Sequence, residues 1–302
     1  MLILTRREVE SLLDPHAVLD AVSAAFQGLS SGAVDAPPRQ SVRGDGGSVL
    51  TMAGRQEGGP VAVKLVGVFP GNASLGLDAH PALVALLDAT TGRCLAVMDG
   101  EPITTLRTAA GAALSVRALA REDASVLAVV GSGVQARAHL ALVPLVREFS
   151  SVRLVARDPA AAARLGVAAG TVEGADVVCL TTASPEPVLR LADVAPGTHV
   201  TSVGFAPPGG ELDPALAAAG RLFVETRQAF SPPPAGCAEL AGLDPSHGTE
   251  LGEVLAGRAE GRRSPDEITV YKAMGHIAED AATAELVYRA ALERGMGRRV
   301  EL

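Results

Sequence analysis

The sequence predicts an α/β protein whose centre is a doubly wound parallel sheet, and three observations predict it. The first is a glycine turn, Gly131-Ser132-Gly133-Val134-Gln135-Ala136, between the apolar run Val126 to Val130 and a helix-like segment from Gln135 to Val146. The second is the repetition that follows, with apolar runs at 152–155, 175–180, 199–203 and 222–224 separated by helix-like stretches. Strands that alternate with helices build parallel sheets, because each crossover returns over the sheet face. The third is a change of texture near residues 105–125, before which strand-like runs are joined by tight turns.

In chain order, Thr5-Arg6-Arg7-Glu8 reads as a capping box that opens a short helix. Asp14-Pro15 reads as the cap and first residue of a second, whose Val18, Ala21, Val22, Ala25 and Phe26 recur at helical spacing until Gly28 to Gly32 ends it. Pro37-Pro38-Arg39 is extended. Strand-like runs at 49–53, 61–66, 83–88 and 94–98 are punctuated by Gly58-Gly59, Pro70-Gly71-Asn72 and Thr91-Gly92. Leu106 to Leu119 reads as a connecting helix. After the repeating middle, Thr269 to Leu292 reads as one long helix, with Met274, Ile277, Ala281, Ala284, Val287 and Ala291 on its apolar stripe, expected to leave the sheet domain and pack on the first.

Bulk properties narrow the function. The 302 residues suffice for two domains, and a net charge of -8 argues against a nucleic-acid partner. No apolar run is long enough to span a membrane. The start, Met1-Leu2-Ile3-Leu4-Thr5-Arg6, turns charged at once and does not read as a signal peptide, so a cytoplasmic location is expected. Cys94, Cys179 and Cys237 lie far apart with no paired spacing; they read as small buried hydrophobes and as no metal site. Only two lysines occur, Lys64 and Lys272, while arginine supplies the other positive charge, so both are candidates for a specific role.

Strand, glycine turn and helix form the phosphate-binding start of a Rossmann-type sheet. The first glycine makes the turn, the second lets the pyrophosphate approach, and a small third residue keeps the helix close. Gly131, Ser132, Gly133, Val134 and Gln135 are therefore candidate cofactor contacts. The end of the next strand, Ala156-Arg157-Asp158, selects the cofactor: an acidic residue there takes a ribose hydroxyl, an arginine a 2′-phosphate. Arg157 comes first, and Asp158 before Pro159 reads as a helix cap, so NADPH is favoured, with NADH the alternative if Asp158 takes the ribose. Thr181, Thr182 and Val203, at strand ends, complete the candidates for the nicotinamide side.

The rest of the pattern resembles a known family. Val63-Lys64-Leu65-Val66, Pro70-Gly71-Asn72, Leu86-Leu87-Asp88-Ala89-Thr90-Thr91-Gly92, Asp99-Gly100, Ile103-Thr104 and Leu106-Arg107-Thr108-Ala109-Ala110 precede the glycine turn and its Arg137-Ala138-His139. Glu250 to Gly257 and Ile268 to Gly275 follow it. Together these resemble the ornithine cyclodeaminase/mu-crystallin family over most of the chain. The resemblance implies a Rossmann-type sheet domain, residues 108–277, inserted into an α+β domain for substrate binding and dimerisation, residues 1–107 completed by a helix at 278–302. It implies a homodimer and an imino or amino acid substrate handled with a nicotinamide cofactor. It also implies that Arg39, Lys64 and Arg107 hold the substrate carboxylate, that Lys64 lies near the substrate nitrogen as the catalytic residue, and that Thr108 lies near the cofactor. From the residues alone, Lys64 between Val63 and Leu65 either points to solvent or lines a pocket awaiting an anion.

One departure separates branches of the family. Cyclodeaminases and alanine dehydrogenases carry an aspartate in the loop after the fourth strand of the inserted sheet. Here Val203-Gly204-Phe205-Ala206-Pro207-Pro208-Gly209-Gly210-Glu211-Leu212 places Phe205 at that position. Phenylalanine cannot receive and return the protons that ring closure with loss of ammonia needs. It can pack on a cyclic imine, and this loop resembles that of the pyrroline- and piperideine-2-carboxylate reductases. The expected function is NADP(H)-dependent reduction of a cyclic ketimine carboxylate. Amino-acid dehydrogenation, cyclodeamination, specialised reductive condensation and a mu-crystallin-like NADPH-dependent binding role are the alternatives. His276 and Asp280 are weaker candidates for the site, and Glu57 reads as an exposed turn residue.

Overall fold

The computed structural model describes residues 1–78 and 80–301. They form two compact units, Met1–Arg107 with His276–Leu302, and Thr108–Gly275.

The first unit contains β1 (Leu2–Leu4), α1 (Arg6–Leu12), α2 (Pro15–Ser31), β2 (Val34–Asp35), β3 (Gln40–Gly44), β4 (Gly47–Gln56), β5 (Val61–Val68), β6 (Ala82–Leu87), β7 (Cys94–Asp99) and the start of α3 (Glu101–Leu119). Local chemistry sets the helix starts. Glu8 accepts from both the Thr5 amide and its hydroxyl, and Asp14 Oδ1 accepts from the Ala17 amide with Pro15 at the first helical position. Gly32 closes α2 at φ 78°, in the left-handed region open to glycine. The strands β4, β5, β6 and β7 pair antiparallel, and β1 joins β7 in parallel. α3 begins at Glu101, five residues before the helix expected from the sequence, since the Glu101 amide donates to Asp99 Oδ1 and starts the helix there.

The second unit contains β8 (Val126–Val130), α4 (Val134–Leu142), β9 (Ser151–Val155), α5 (Ala161–Leu165), β10 (Ala168–Ala169), β11 (Val177–Leu180), β12 (His199–Ser202), α6 (Pro214–Ala219), β13 (Arg221–Val224), β14 (Gly248–Glu250), α7 (Leu251–Leu255) and β15 (Thr269–Lys272). Its strands run in the order β10-β9-β8-β11-β12-β15-β13-β14, and every pair is parallel. This is the Rossmann-type sheet. Val130, Val178, Leu180, Val200, Leu222 and Val270 pack its core, as expected for strands buried on both faces.

The long helix expected at 269–292 is corrected. Thr269–Lys272 is strand β15, between β12 and β13, and helix α8 (Ile277–Arg294) starts five residues later. Gly275, at φ 76°, separates the two, and His276 caps α8 by accepting from the Ala278 amide through Nδ1. A short run of Thr, Val and Tyr fits a buried strand as well as a helix, and periodicity alone does not distinguish them. α8 and the final strand β16 (Arg298–Arg299) return to the first unit, where α8 packs on β4, β5, β6 and α2. A Cβ on Gly54 of β4 would lie 2.5 Å from Ile277 Cγ2, so the glycine permits this close approach. Elsewhere α4 stops at Leu142, and a 3₁₀ turn with Pro144 covers Val143–Leu145.

Candidate active site

In the second unit the chain leaves β8 through Gly131 at φ 122°. A Cβ there would lie 2.6 Å from Thr181 Oγ1 and 2.9 Å from the Thr181 carbonyl, so glycine is needed for both conformation and space. Gly133 is the N-cap of α4, no side chain caps it, and a Cβ on it would meet nothing within 4 Å. Ser132, Gly133 and Val134 are exposed, and Ala136 is buried. The first amides of a helix lack intrahelical partners, and the open side at Gly133 gives a pyrophosphate room to reach them. Gln135 Oε1 is buried without a hydrogen-bond partner among the described residues. These features fit a dinucleotide.

Around this turn Ala156 and Arg157 follow β9, with Arg157 exposed. Asp158 is committed locally: Oδ1 accepts from the Ala160 amide at 2.9 Å and Oδ2 from Arg164 at 2.5 Å. The Arg164 bond holds its carboxyl below the usual range. Helix α5 starts later than a cap at Asp158 would place it, with Ala160 at the N-cap position. Thr181 donates to the Val130 carbonyl at 2.7 Å. The Thr182 hydroxyl donates to Glu211 at 2.7 Å. Thr108 is buried in α3.

Glu211 organises the strand ends. It is buried and accepts from the Thr182 amide and hydroxyl, the Ser202 hydroxyl, and the Val203 and Gly204 amides, at 2.6 to 3.1 Å. Beside it, buried Lys272 donates to the Gly204 carbonyl at 2.6 Å, Glu239 at 2.9 Å and Ser202 at 3.2 Å. Phe205, half-buried, follows Gly204 directly. Sequence reasoning singled out Lys272 but missed Glu211 and Glu239. Glu211 in a loop and Glu239 in a single 3₁₀ turn carry no periodic signal, and only the fold gives them buried partners.

The first unit gathers the charged residues. Lys64 lies on the face of β5 shared with Ala62 and Val66 and is 1% exposed. Its Nζ donates to Asp280 Oδ1 at 2.6 Å and Thr104 Oγ1 at 2.7 Å. Arg107 Nε reaches the same Asp280 oxygen at 3.2 Å, and its Nη1 reaches Glu279 at 3.4 Å. Burial pushes the Lys64 ammonium down to about 8, with Asp280 opposing the shift. Burial alone would raise Asp280; Arg107 and Lys64 outweigh it and hold the carboxyl low. Of the two arrangements expected for Lys64, burial excludes solvent exposure, and the ammonium already has a counter-charge in Asp280. Its counter-charge comes from α8, more than two hundred residues away in sequence. Arg39, half-buried, stands between Pro38 and β3. His276 serves as the α8 cap, and Glu57 is exposed in the turn after β4.

Residues 1–295 match the sequence profile of the ornithine cyclodeaminase/mu-crystallin family. The chain belongs to this family. Among solved structures of similar fold, the Thermococcus litoralis Δ1-pyrroline-2-carboxylate reductase, in complex with NADH and L-proline, has a TM-score of 0.91 and 31% identity and covers 99% of this chain and 100% of its own. An archaeal alanine dehydrogenase dimer with bound NAD has a TM-score of 0.90 and 31% identity, covering 100% and 99%. The iminosuccinate reductase of Paracoccus denitrificans is 31% identical over 321 residues and covers 100% of each chain. Similarity of this kind shows family and fold; the separation of substrates within the family rests on individual side chains.

Proposed function

We propose that this family member is an NADP(H)-dependent reductase of cyclic ketimine carboxylates, converting Δ1-pyrroline-2-carboxylate or Δ1-piperideine-2-carboxylate to proline or pipecolate. The observation that carries the reading is the loop after β12, where Val203 to Gly210 contains no titratable side chain and presents Phe205. Ring closure with release of ammonia needs a proton acceptor and donor there. Reduction of an imine that is already cyclic needs hydride, positioning and one proton.

In this reading the first unit binds substrate and the second binds cofactor. Arg107 and Arg39 take the substrate carboxylate, with the Lys64 charge beside them, and Arg107 gives up part of its hold on Asp280 to do so. Lys64 stands at the substrate nitrogen as the proton source. Gly131 to Gln135 hold the pyrophosphate, with Ala156 and Arg157 at the adenosine ribose and Thr108, Thr181, Thr182 and Val203 toward the nicotinamide. Bound, the cofactor supplies hydride. Arg157 favours NADPH because Asp158 spends both oxygens on its own turn; NADH, bound in the Thermococcus litoralis reductase complex, is the alternative.

Val42, Leu65 and Leu83 lie on one face of the first unit's sheet with exposures of 64%, 41% and 41%. An apolar face of this kind supports a homodimer. Free thiols at Cys94, Cys179 and Cys237 fit a reducing, cytoplasmic location.

Alanine dehydrogenation is the second reading, favoured by the equally similar archaeal relative. A screen at 340 nm with both cofactors separates the two. Oxidation of NADPH by the cyclic imines, with none by pyruvate plus ammonia, supports ketimine reduction. Efficient turnover of pyruvate plus ammonia, or ammonia release from ornithine or lysine, refutes it.

A further inference from the structure

Lys64 is set in the interior of the first unit with a specific donor balance. An ammonium carries three N–H donors. Among the described residues Lys64 Nζ has two acceptors, Asp280 Oδ1 and Thr104 Oγ1. Thr104 spends its own hydroxyl hydrogen on the Gly100 carbonyl at 2.6 Å, so toward Lys64 it acts as an acceptor. One N–H of the ammonium therefore remains. If Lys64 gives up that proton, the neutral amine keeps two N–H groups, one for each acceptor, and neither bond has to break.

Asp280 is the group that makes the charged form tenable. It is fully buried, its Oδ1 is shared by Lys64 and Arg107, and its Oδ2 has no hydrogen-bond partner among the described residues. A buried carboxylate held in this way needs the two cations that its charge in turn stabilises.

We propose that Asp280 is a positioning residue that holds Lys64 as an ammonium, with its third N–H ready to protonate the substrate nitrogen. The proposal rests on the ketimine-reductase reading for its use and on the ion pair for its geometry. In the reduction, hydride brings the electron pair of the new C–H bond. The π pair of C=N becomes the nitrogen lone pair, and that pair takes the proton from Lys64 Nζ. Lys64 is left as a neutral amine and recovers a proton from solvent.

The charged groups facing Lys64 are Arg107 from α3 and Asp280 and Glu279 from α8. His80, before β6, is exposed by surface area, yet burial first and the Lys64 charge second lower its imidazole. His80 is therefore a further titratable group within electrostatic reach of Lys64. Removing an opposite charge at this distance lowers an ammonium by about 1 to 3 pH units.

The chain has only Lys64 and Lys272, so carbon-13 labelling of lysine Cε gives two resonances. A pH titration of the full-length protein reads Lys64 directly, with no turnover required. In Asp280→Asn the Lys64 midpoint should fall by about 1 to 3 units, and Asp280→Glu should restore most of it. The Lys272 resonance, held by Glu239, reports whether the fold is intact. An unchanged Lys64 midpoint in a folded Asp280→Asn protein overturns the proposal. If that variant does not fold, the wild type decides: reductase kcat should fall at high pH along the measured Lys64 midpoint, and a limb more than about one unit away overturns it. Failure to reduce any cyclic imine would overturn the functional reading while leaving the titration to judge the ion pair.

Discussion

The choice between NADPH and NADH turns on one exposed side chain. Arg157→Ser removes the guanidinium at the end of β9 and leaves the backbone and the glycine turn in place. A charge-assisted bond to a 2′-phosphate is worth about 1.5 to 3 kcal/mol. Arg157 is exposed, and solvent screening reduces the figure to about 1 to 2 kcal/mol. NADPH affinity should fall about 5- to 30-fold, and NADH affinity should barely change, because no phosphate is there to lose. Asp158 makes the contrast sharper. Its oxygens are taken by Ala160 and Arg164, so Arg164→Ala should free it and improve NADH binding relative to NADPH. Fluorescence titration of both cofactors against wild type and both variants gives the answer. Equal weakening of NADPH and NADH in Arg157→Ser, or no weakening of either, would refute the reasoning.

Three further outcomes follow from other parts of the structure. Gly131→Ala adds a Cβ against Thr181 in a conformation that costs about 1 to 3 kcal/mol; a cofactor Kd raised about tenfold or more is expected, and unchanged binding would remove the turn from the cofactor site. Lys272→Met strands Glu239 in the interior and should cost about 3 to 5 kcal/mol in urea unfolding, with Glu239→Gln in the double variant recovering much of it. His139 and His199 are buried and lowered to about 4 and about 3, mainly by burial. Below pH 6.5 the unfolded chain binds protons that these native imidazoles refuse, so stability is lost as pH falls, at up to about 1.4 kcal/mol per pH unit for each. Both contribute between about pH 6.5 and 4, and His199 alone down to about 3. Urea midpoints that do not change between pH 7 and pH 5 would contradict this.

Much of the fold was legible because period and punctuation are local. The alternation of apolar runs with helices after Gly131 predicts the parallel sheet, and Thr5-Glu8 and Asp14-Pro15 mark helix starts where the structure has them. Strand β15 was not legible as a strand, since a buried run of four residues followed by helix-like spacing reads as helix until Gly275 and His276 are seen to break it. In the site, Lys64 and Arg107 stand out as cations among apolar neighbours. Their partner Asp280 ranked low because its importance comes from the packing of α8 on β5. Glu211 behaves likewise, with five donors converging on it from strand ends scattered along the chain.

The central claim is that hydride leaves the cofactor for good and ends on the α-carbon of a cyclic amino acid. The direct test supplies Δ1-pyrroline-2-carboxylate with NADPH deuterated at the nicotinamide C4 position and analyses the product by mass spectrometry. Proline carrying one deuterium at Cα for each NADPH consumed, with no ammonia released from L-ornithine in parallel, is the predicted result. Ammonia from ornithine without net consumption of cofactor would contradict it, and with it the reading of Phe205.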